Sequence, residues 1–173
     1  MLGLPEWRWS LKGNGKGVER RPLNTRLYSN GEGVSMLRKQ MREHIFRLLF
    51  QVEFISSAEM PERIALYLSH LDGANDEKKR YMRERCLLAI NHVEEIDALI
   101  NEKVSGWRTG RMNKVDLTIL RLAVFEIKYD EDIPTGVAIN EAVELAKKYS
   151  GDDAPAFVNG VLAKVITATE GEE

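Results

Sequence analysis

The chain has little cysteine, and Cys86 is the only one among its 173 residues. It lies among apolar residues of a periodic segment, which predicts a buried structural thiol in a reducing compartment. No apolar run approaches the roughly 18–20 residues that are needed to cross a bilayer. The N-terminus also lacks the continuous apolar stretch of a secretory signal. We therefore expect a cytoplasmic protein with no membrane partner.

Signatures of catalysis and metal binding are missing as well. His44, His70 and His92 stand on separate predicted helices without metal-ligand spacing, and we expect each of them at the surface or half-buried. The adjacent acids Asp152 and Asp153 precede an Ala-Pro helix start, where carboxylates usually cap a helix. There is no nucleophile elbow and no dinucleotide fingerprint. The sequence thus predicts a protein that is not an enzyme, with no cofactor and no metal.

Residues 1–35 differ from everything after them. They contain six glycines and two prolines and have no sustained hydrophobic period, so they are not expected to order themselves. Their "GNGKG" is not a phosphate loop, because neither Ser nor Thr follows the lysine and no strand precedes it. We interpret residues 1–35 as a disordered leader, a tag or a misassigned start. Residues 36–168 are the predicted folded domain, and residues 169–173 a flexible acidic tail.

From Met36 onward, apolar residues recur three and four apart, which is the spacing of amphipathic helices. No segment alternates convincingly with period two. The predicted fold class is therefore all-α, a compact helical domain of about six helices. The second helix has Pro61 in its first turn, and the third is one long helix that ends at Gly106. Asp116 starts the fourth helix, which is predicted to be central, and Asp153 caps the last.

Two asparagines interrupt predicted apolar helix faces. Asn140 and Asn159 stand where asparagine is a poor helix former. A buried amide needs hydrogen-bond partners, so we expect fixed interhelical hydrogen bonds rather than contact with a ligand. Phe157, at the start of the last helix, is either a core residue or an exposed platform for stacking.

The net charge of −2 is unevenly distributed. Residues 1–35 carry six Lys/Arg against three Glu, which leaves 19 of the 25 basic and 24 of the 27 acidic residues for the remainder. Residues 1–35 therefore carry a net charge of +3, and the remainder of the chain carries a net charge of −5. Within that acidic remainder, four Lys/Arg face a single glutamate across residues 36–50. Such asymmetry suggests an anionic partner.

Three of the basic residues in the segment 36–50 lie at the start of a predicted helix. Arg38, Lys39 and Arg42 fall beside the apolar stripe in the first two turns, where the helix dipole disfavours positive charge. A solvated basic edge is the ordinary interpretation of such a pattern. Because positive charge is unfavourable at this end of the helix, we favour instead a bound anion, such as phosphate, that compensates it.

The blocks "VDLTILRLAVFEI", "DIPTGVAINEAVELAKKYS" and "FVNGVLAKV", with the head "LRKQMREHIFRLLF", resemble the NusB family of bacterial transcription antitermination factors. The resemblance covers residues 36 to about 165. It implies an all-helical domain of two packed helical subdomains. It also implies RNA binding at the boxA element of nascent ribosomal-RNA leader transcripts, within the RNA polymerase antitermination complex. The implied protein partner is NusE, a protein of the small ribosomal subunit.

The resemblance also implies functional positions. The family's basic head falls on Arg38, Lys39 and Arg42, and its RNA-proximal aspartate and phenylalanine fall on Asp153 and Phe157. A sixth position, the acidic residue associated with the NusE surface, falls on Asp116. The residue before the phenylalanine is commonly basic in the family but is alanine in this chain, which would weaken one phosphate contact.

Two alternatives remain open at this point. One is a protein adapter that does not bind RNA, in which the basic edge would meet an acidic partner. The other is a NusB-like domain related to ribosomal-RNA methyltransferases. Against it, the chain ends at Glu173, leaving no room for a methyltransferase sheet, and has no glycine-rich cofactor loop.

Overall fold

The structure, a computed structural model, describes residues 36–106 and 108–170, with side chains through Thr167. Over these ranges it contains helices and short 3-10 turns but no strand, so the all-α prediction is confirmed. The helices are α1 (Arg38–Phe50), α2 (Met60–Ser69), α3 (Asp76–Asn91), α4 (Val93–Lys103), α5 (Lys114–Tyr129), α6 (Thr135–Tyr149) and α7 (Ala154–Glu170). The 3-10 turns are Gln51–Glu53 and Thr109–Arg111.

The predicted leader, residues 1–35, lies outside the described residues. The predicted tail lies only partly within them, because α7 continues to Glu170. None of the described helices is both long enough and apolar enough to cross a membrane.

Helix α5 is the centre of the domain, as predicted for the fourth helix. Every residue from 117 to 126 is buried, which requires neighbours on all sides of the helix. Those neighbours are α1, α3, α4, α6 and α7. The helix begins at the cap Asn113, whose side-chain oxygen accepts a hydrogen bond from the backbone N–H of Val115 at 2.8 Å.

The helices pack in two groups around one continuous apolar core. Helices α1 and α2 pack on α3, while α6 and α7 pack on each other and on α5. Helix α4 joins the second group through α5 and α7. Cys86 on α3 is fully buried in this core, and burial raises the pKa of its thiol to about 12. The prediction of a buried structural thiol is confirmed.

The predicted long third helix is wrong, because the chain breaks at His92 into α3 and α4. His92 has φ −101° and ψ 2°, and it serves as the end of one helix and the start of the next. Its ring stacks on Tyr129 with the centroids 3.9 Å apart, and its Nδ1 lies 3.3 Å from Glu95 Oε2. The break lets α3 pack on α1 and α2 while α4 packs on α5 and α7. It also accounts for the seven helices of the described ranges, where about six were expected.

The expected burial of Asn140 and Asn159 is also wrong. Both side chains are exposed, and neither makes a hydrogen bond to another described residue. The buried seam of α6 consists instead of small residues and one leucine, namely Ala138, Ala142, Leu145 and Ala146. Small alanine side chains let α6 approach its neighbours closely, and not every larger apolar residue of α6 is buried. Val137, for example, is 43% exposed.

Candidate nucleic-acid interface

The start of α1 presents two exposed basic residues and has no acid in its own first turn. Arg38 and Lys39 are exposed, and the first turn contains no acidic residue. The side chain of Gln40 accepts a hydrogen bond from the backbone N–H of Leu37 at 2.7 Å, so a neutral group satisfies this helix end. Lys39 makes no hydrogen bond or ion pair to another described residue. Positive charge therefore adds to the positive end of the helix dipole at this surface.

A buried lysine holds the chain just before this helix. Lys78 on α3 is only 6% exposed, and its Nζ donates to the carbonyl oxygen of Met36 at 2.9 Å. A lysine is rarely buried to this extent without a partner. The contact fixes the direction in which α1 begins, and with it the position of Arg38 and Lys39.

Arg42 points into the protein rather than into solvent. Its residue is 9% exposed, and its Nε donates to Oε1 of Glu126 on α5 at 2.7 Å. Its Nη1 lies 3.5 Å from Oε2 of Glu141 on α6. The helical spacing that placed Arg42 beside Arg38 at the surface could not reveal this buried acid. Arg42 thus ties α1 to two other helices.

The end of α6 meets α1 around one acid, Glu43. Both carboxylate oxygens lie 2.8 Å from Nζ of Lys148, and one accepts a hydrogen bond from the Tyr149 hydroxyl. Arg47, one turn further along α1, donates to the same carboxylate at 2.6 Å. Burial alone would raise the pKa of Glu43, but the hydrogen bonds from Lys148 and Tyr149 and the charges of Lys148 and Arg47 bring it below its ordinary value.

A cleft of about 310 Å³ runs between α1 and α6. It is lined by residues of both signs of charge: Lys39, Arg42, Glu43, Glu141, Glu144, Leu145, Lys147 and Lys148. Lys147 Nζ lies 2.8 Å from Glu144 Oε1, and Lys148 is bound by Glu43 as described. Lys39 is therefore the lysine of this wall that has no ion pair within the described part of the chain. In the sequence, the lysines of α6 carry one signal only, their position at a helix C-terminus.

Asp153 and Phe157 lie at the start of α7, beyond the end of α6. Asp153 is exposed, and its carbonyl oxygen accepts a hydrogen bond from the backbone N–H of Phe157 at 3.1 Å. Phe157 is half-buried and packs against the core, so it is neither wholly interior nor wholly free. Four chain steps separate Tyr149 from Asp153, which limits their Cα distance to about 15 Å. The start of α7 is therefore near the surface that α6 shares with α1.

Asp116 lies at a different end of the domain, in the first turn of α5. The cap of α5 is Asn113, so the prediction that Asp116 starts this helix is wrong by a few residues. Its Oδ1 is buried and has no hydrogen-bond partner among the described residues. Nearby in sequence, Lys114 forms an ion pair at 2.8 Å with Glu53 of the first 3-10 turn.

The described residues contain no group of three or more His, Cys, Asp or Glu side chains arranged to hold a metal ion. The histidines lie as predicted, with His70 exposed and the other two half-buried. His44 Nδ1 is 2.7 Å from the hydroxyl of Tyr67, and His92 stacks as described above. These contacts give both half-buried imidazoles structural partners.

The model of the NusB family matches residues 39–167 of the chain. The transcription antitermination protein NusB of Agathobacter rectalis is 55% identical over 129 residues, which cover 75% of this chain and 98% of that protein. The structure of T. maritima NusB is similar with a TM-score of 0.68 at 31% identity, over 76% of this chain and 92% of its own. A crystal structure of the antitermination factors NusB and NusE in complex with double-stranded RNA matches with a TM-score of 0.63 at 28% identity. The match covers 76% of this chain and 96% of the matched chain.

Proposed function

The chain belongs to the NusB family, and we propose that it binds the boxA element of nascent ribosomal-RNA leader transcripts together with NusE. Family membership makes it a transcription antitermination factor and not an enzyme. In the proposed role it supports processive transcription of ribosomal RNA as part of the RNA polymerase antitermination complex. This role places it in the bacterial cytoplasm.

The observation that carries the proposal is the exposed basic start of α1. Arg38 and Lys39 project from a helix N-terminus that has no acid of its own. Phosphate is the ligand that both the side chains and the helix dipole favour at such a place. We assign the phosphate contacts chiefly to these two residues. Arg42, held by Glu126 and Glu141, instead fixes α1 against α5 and α6 beneath this surface.

Single-stranded RNA also offers unstacked bases, which aromatic side chains can bind by stacking. Phe157 is half-buried, so its ring retains some accessible surface. In the proposal Phe157 stacks on a base, and Asp153, exposed at the same helix start, accepts a hydrogen bond from a base edge. The short link from α6 to α7 keeps both residues near the basic surface.

The proposed NusE surface includes Asp116. Asp116 is half-buried in the first turn of α5, so part of its side chain remains accessible to a partner protein. The similar structure that contains both NusB and NusE supports the choice of partner. Lys114 pairs with Glu53 beyond the end of α1, so the start of α5 with Asp116 lies away from the start of α1, and the proposal gives RNA and NusE separate surfaces.

The proposal is tested by RNA binding with and without the partner. Fluorescence anisotropy would follow a labelled single-stranded RNA with a boxA-like element, and a scrambled RNA of the same length and composition. We expect preference for the boxA-like RNA, and an increase in that affinity when NusE is present. By thermodynamic linkage, the RNA should raise the affinity for NusE by the same factor.

Equal affinity for the two RNAs, both with and without NusE, would overturn the boxA assignment. If neither RNA bound while NusE still did, the chain would act as a protein adapter instead. Arg63→Ala serves as a charge control for variants of the basic surface, because Arg63 is exposed on α2, which packs on α3 and away from α6.

A further inference from the structure

Glu43 is the only acid among the four basic residues of α1, and its carboxylate binds three side chains. Two of its partners, Lys148 and Tyr149, come from the last turn of α6, and the third is Arg47 of its own helix. The carboxylate side chain is 16% exposed, whereas the side chains of Lys148 and Arg47 are 56% and 45% exposed. An inner acid thus holds two outer cations.

Tyr149 makes this arrangement rigid. Its ring packs on the buried Phe46 with the centroids 5.0 Å apart, while its hydroxyl donates to Glu43. Arg47 donates to the same hydroxyl, with Nη2 at 2.8 Å and Nε at 3.1 Å. Tyr149 is therefore held at both ends of its side chain, and it fixes the last turn of α6 against α1.

We propose that Glu43 is a specificity-determining residue of the RNA surface. It withholds Lys148 and Arg47 from phosphates and keeps the end of α6 in place. The inference rests on the proposed function for its ligand, single-stranded RNA. The contacts to phosphate are thereby left to the start of α1, and base recognition to the start of α7.

The physical reason is that phosphate contacts bind every RNA equally. They supply affinity but carry no sequence information. Two further mobile cations beside the interface would strengthen binding to unrelated RNA as much as to the correct one, or more. An acid that occupies Lys148 and Arg47 with fixed geometry suppresses this background, while Arg47 still donates to the Tyr149 hydroxyl.

The experiment compares Glu43→Gln with Glu62→Gln. Both changes remove one negative charge, but Glu62 is exposed on α2 and has no ion pair with another described residue. Anisotropy titrations over a range of salt concentrations would use an unrelated single-stranded RNA and the boxA-like RNA. Each released cation should make the log–log salt dependence steeper by about 0.7, so Glu43→Gln should change the slope by up to about 1.4.

We further expect Glu43→Gln to raise the affinity for unrelated RNA and to lower the ratio of boxA-like to unrelated affinity. Glu62→Gln should change neither. In the double variant Glu43→Gln/Lys148→Ala, about 0.7 of the added slope should be lost again. Circular dichroism at the assay temperature checks that every variant is folded.

Lys148→Ala alone tests the inference on an exposed residue whose replacement leaves the core untouched. Because Lys148 is withheld in the native protein, its removal should leave the salt slope unchanged. A slope that flattens by about 0.7 would show that Lys148 already contacts phosphate, and would overturn the inference. So would a Glu43→Gln slope equal to that of Glu62→Gln.

These outcomes are separable from a failure of the proposed function. If the native protein did not discriminate between the two RNAs, the boxA assignment would fail. The slopes measured on unrelated RNA would still report whether Glu43 withholds the two cations, since counterion release does not depend on sequence.

Discussion

Arg42 Nε on α1 lies 2.7 Å from Glu126 Oε1 on α5, and the two residues are 9% and 5% exposed. Burial raises the pKa of Glu126 to about 7, with Asp130 and Glu141 adding to the rise and Arg42 opposing it. The pair thus joins the basic helix to the centre of the core through an acid that titrates near neutral pH. Removing one partner of a buried pair typically costs about 3–5 kcal/mol.

Glu126→Gln should remove a pH dependence of stability. The pKa of Glu126 is raised from 4.5 to about 7 on folding, so the folded protein retains this proton more tightly. Its stabilising contribution is complete below pH 4.5 and is lost as the pH rises through 7. Relative to the native protein, Glu126→Gln should therefore gain about 3 kcal/mol in free energy of unfolding between pH 4.5 and 8.

Urea denaturation at a series of pH values measures this difference. The groups that face Glu126 are Arg42, Glu141 and Asp130, and all three are retained in the variant. Subtracting the two curves cancels titrations that both proteins share. A difference that stays flat from pH 4.5 to 8 would contradict the raised pKa.

Lys39→Ala should reduce the number of phosphate contacts by one. Lys39 is exposed and unpaired at the start of α1 within the described part of the chain, so its loss should cost little stability. The salt dependence of single-stranded RNA binding should flatten by about 0.7. Affinity should fall for boxA-like and unrelated RNA alike. Arg63→Ala should leave the slope as it is, and equal slopes for all three proteins would show that Lys39 does not contact phosphate.

Phe157→Leu separates stacking from packing. Leucine keeps an apolar side chain against the core, whereas it cannot stack on a base. RNA affinity should fall by about 1–3 kcal/mol with little change in salt slope. Thermal unfolding should show a much smaller loss for Phe157→Leu than for Phe157→Ala, which leaves a cavity. Undiminished RNA affinity in a folded Phe157→Leu protein would make Phe157 a core residue only.

Asp116→Asn should weaken NusE binding at nearly unchanged stability. The change removes a charge from the first turn of α5, where the helix dipole accounts for about 0.3–1 kcal/mol. Asn113 remains as the cap. Isothermal titration with NusE provides the measurement, and RNA binding in the absence of NusE is the internal control. Equal NusE affinity for the two proteins would remove Asp116 from the partner surface.

Asn159→Ala should be neutral or slightly stabilising. The side chain is exposed on α7 and makes no hydrogen bond to another described residue, and alanine is the better helix former. We expect a change in unfolding free energy within about 0.5 kcal/mol. Asn140→Ala should behave in the same way on α6. A loss of more than about 1 kcal/mol in unfolding free energy in either variant would instead support the buried interhelical hydrogen bond that the sequence predicted.

The helices themselves were predictable because the spacing of their apolar residues agrees with the positions of the proline and glycine residues that start and end them. Pro61 lies in the first turn of α2, and Gly106, with φ +88°, follows the end of α4. The break at His92 was not predictable, since neither Gly nor Pro stands there. What determines it is contact between distant segments, above all the stacking of His92 on Tyr129.

The candidate site shows the same limit. Charge and the helix dipole were enough to locate Arg38 and Lys39 at an exposed helix start. Spacing along one helix could not show that Arg42 meets Glu126, 84 residues away. Nor could it show that Lys148 and Tyr149 meet Glu43, because the partner helix is defined only by the fold.

The burial of Cys86 makes the chain suitable for site-specific labelling. Its thiol is 0% exposed, and its pKa is raised to about 12, so very little reactive thiolate exists at neutral pH. A cysteine introduced at an exposed position would therefore react with a maleimide dye while Cys86 remains unlabelled. In the unmodified protein, slow alkylation of Cys86 measures how often the core opens, without any engineered substitution.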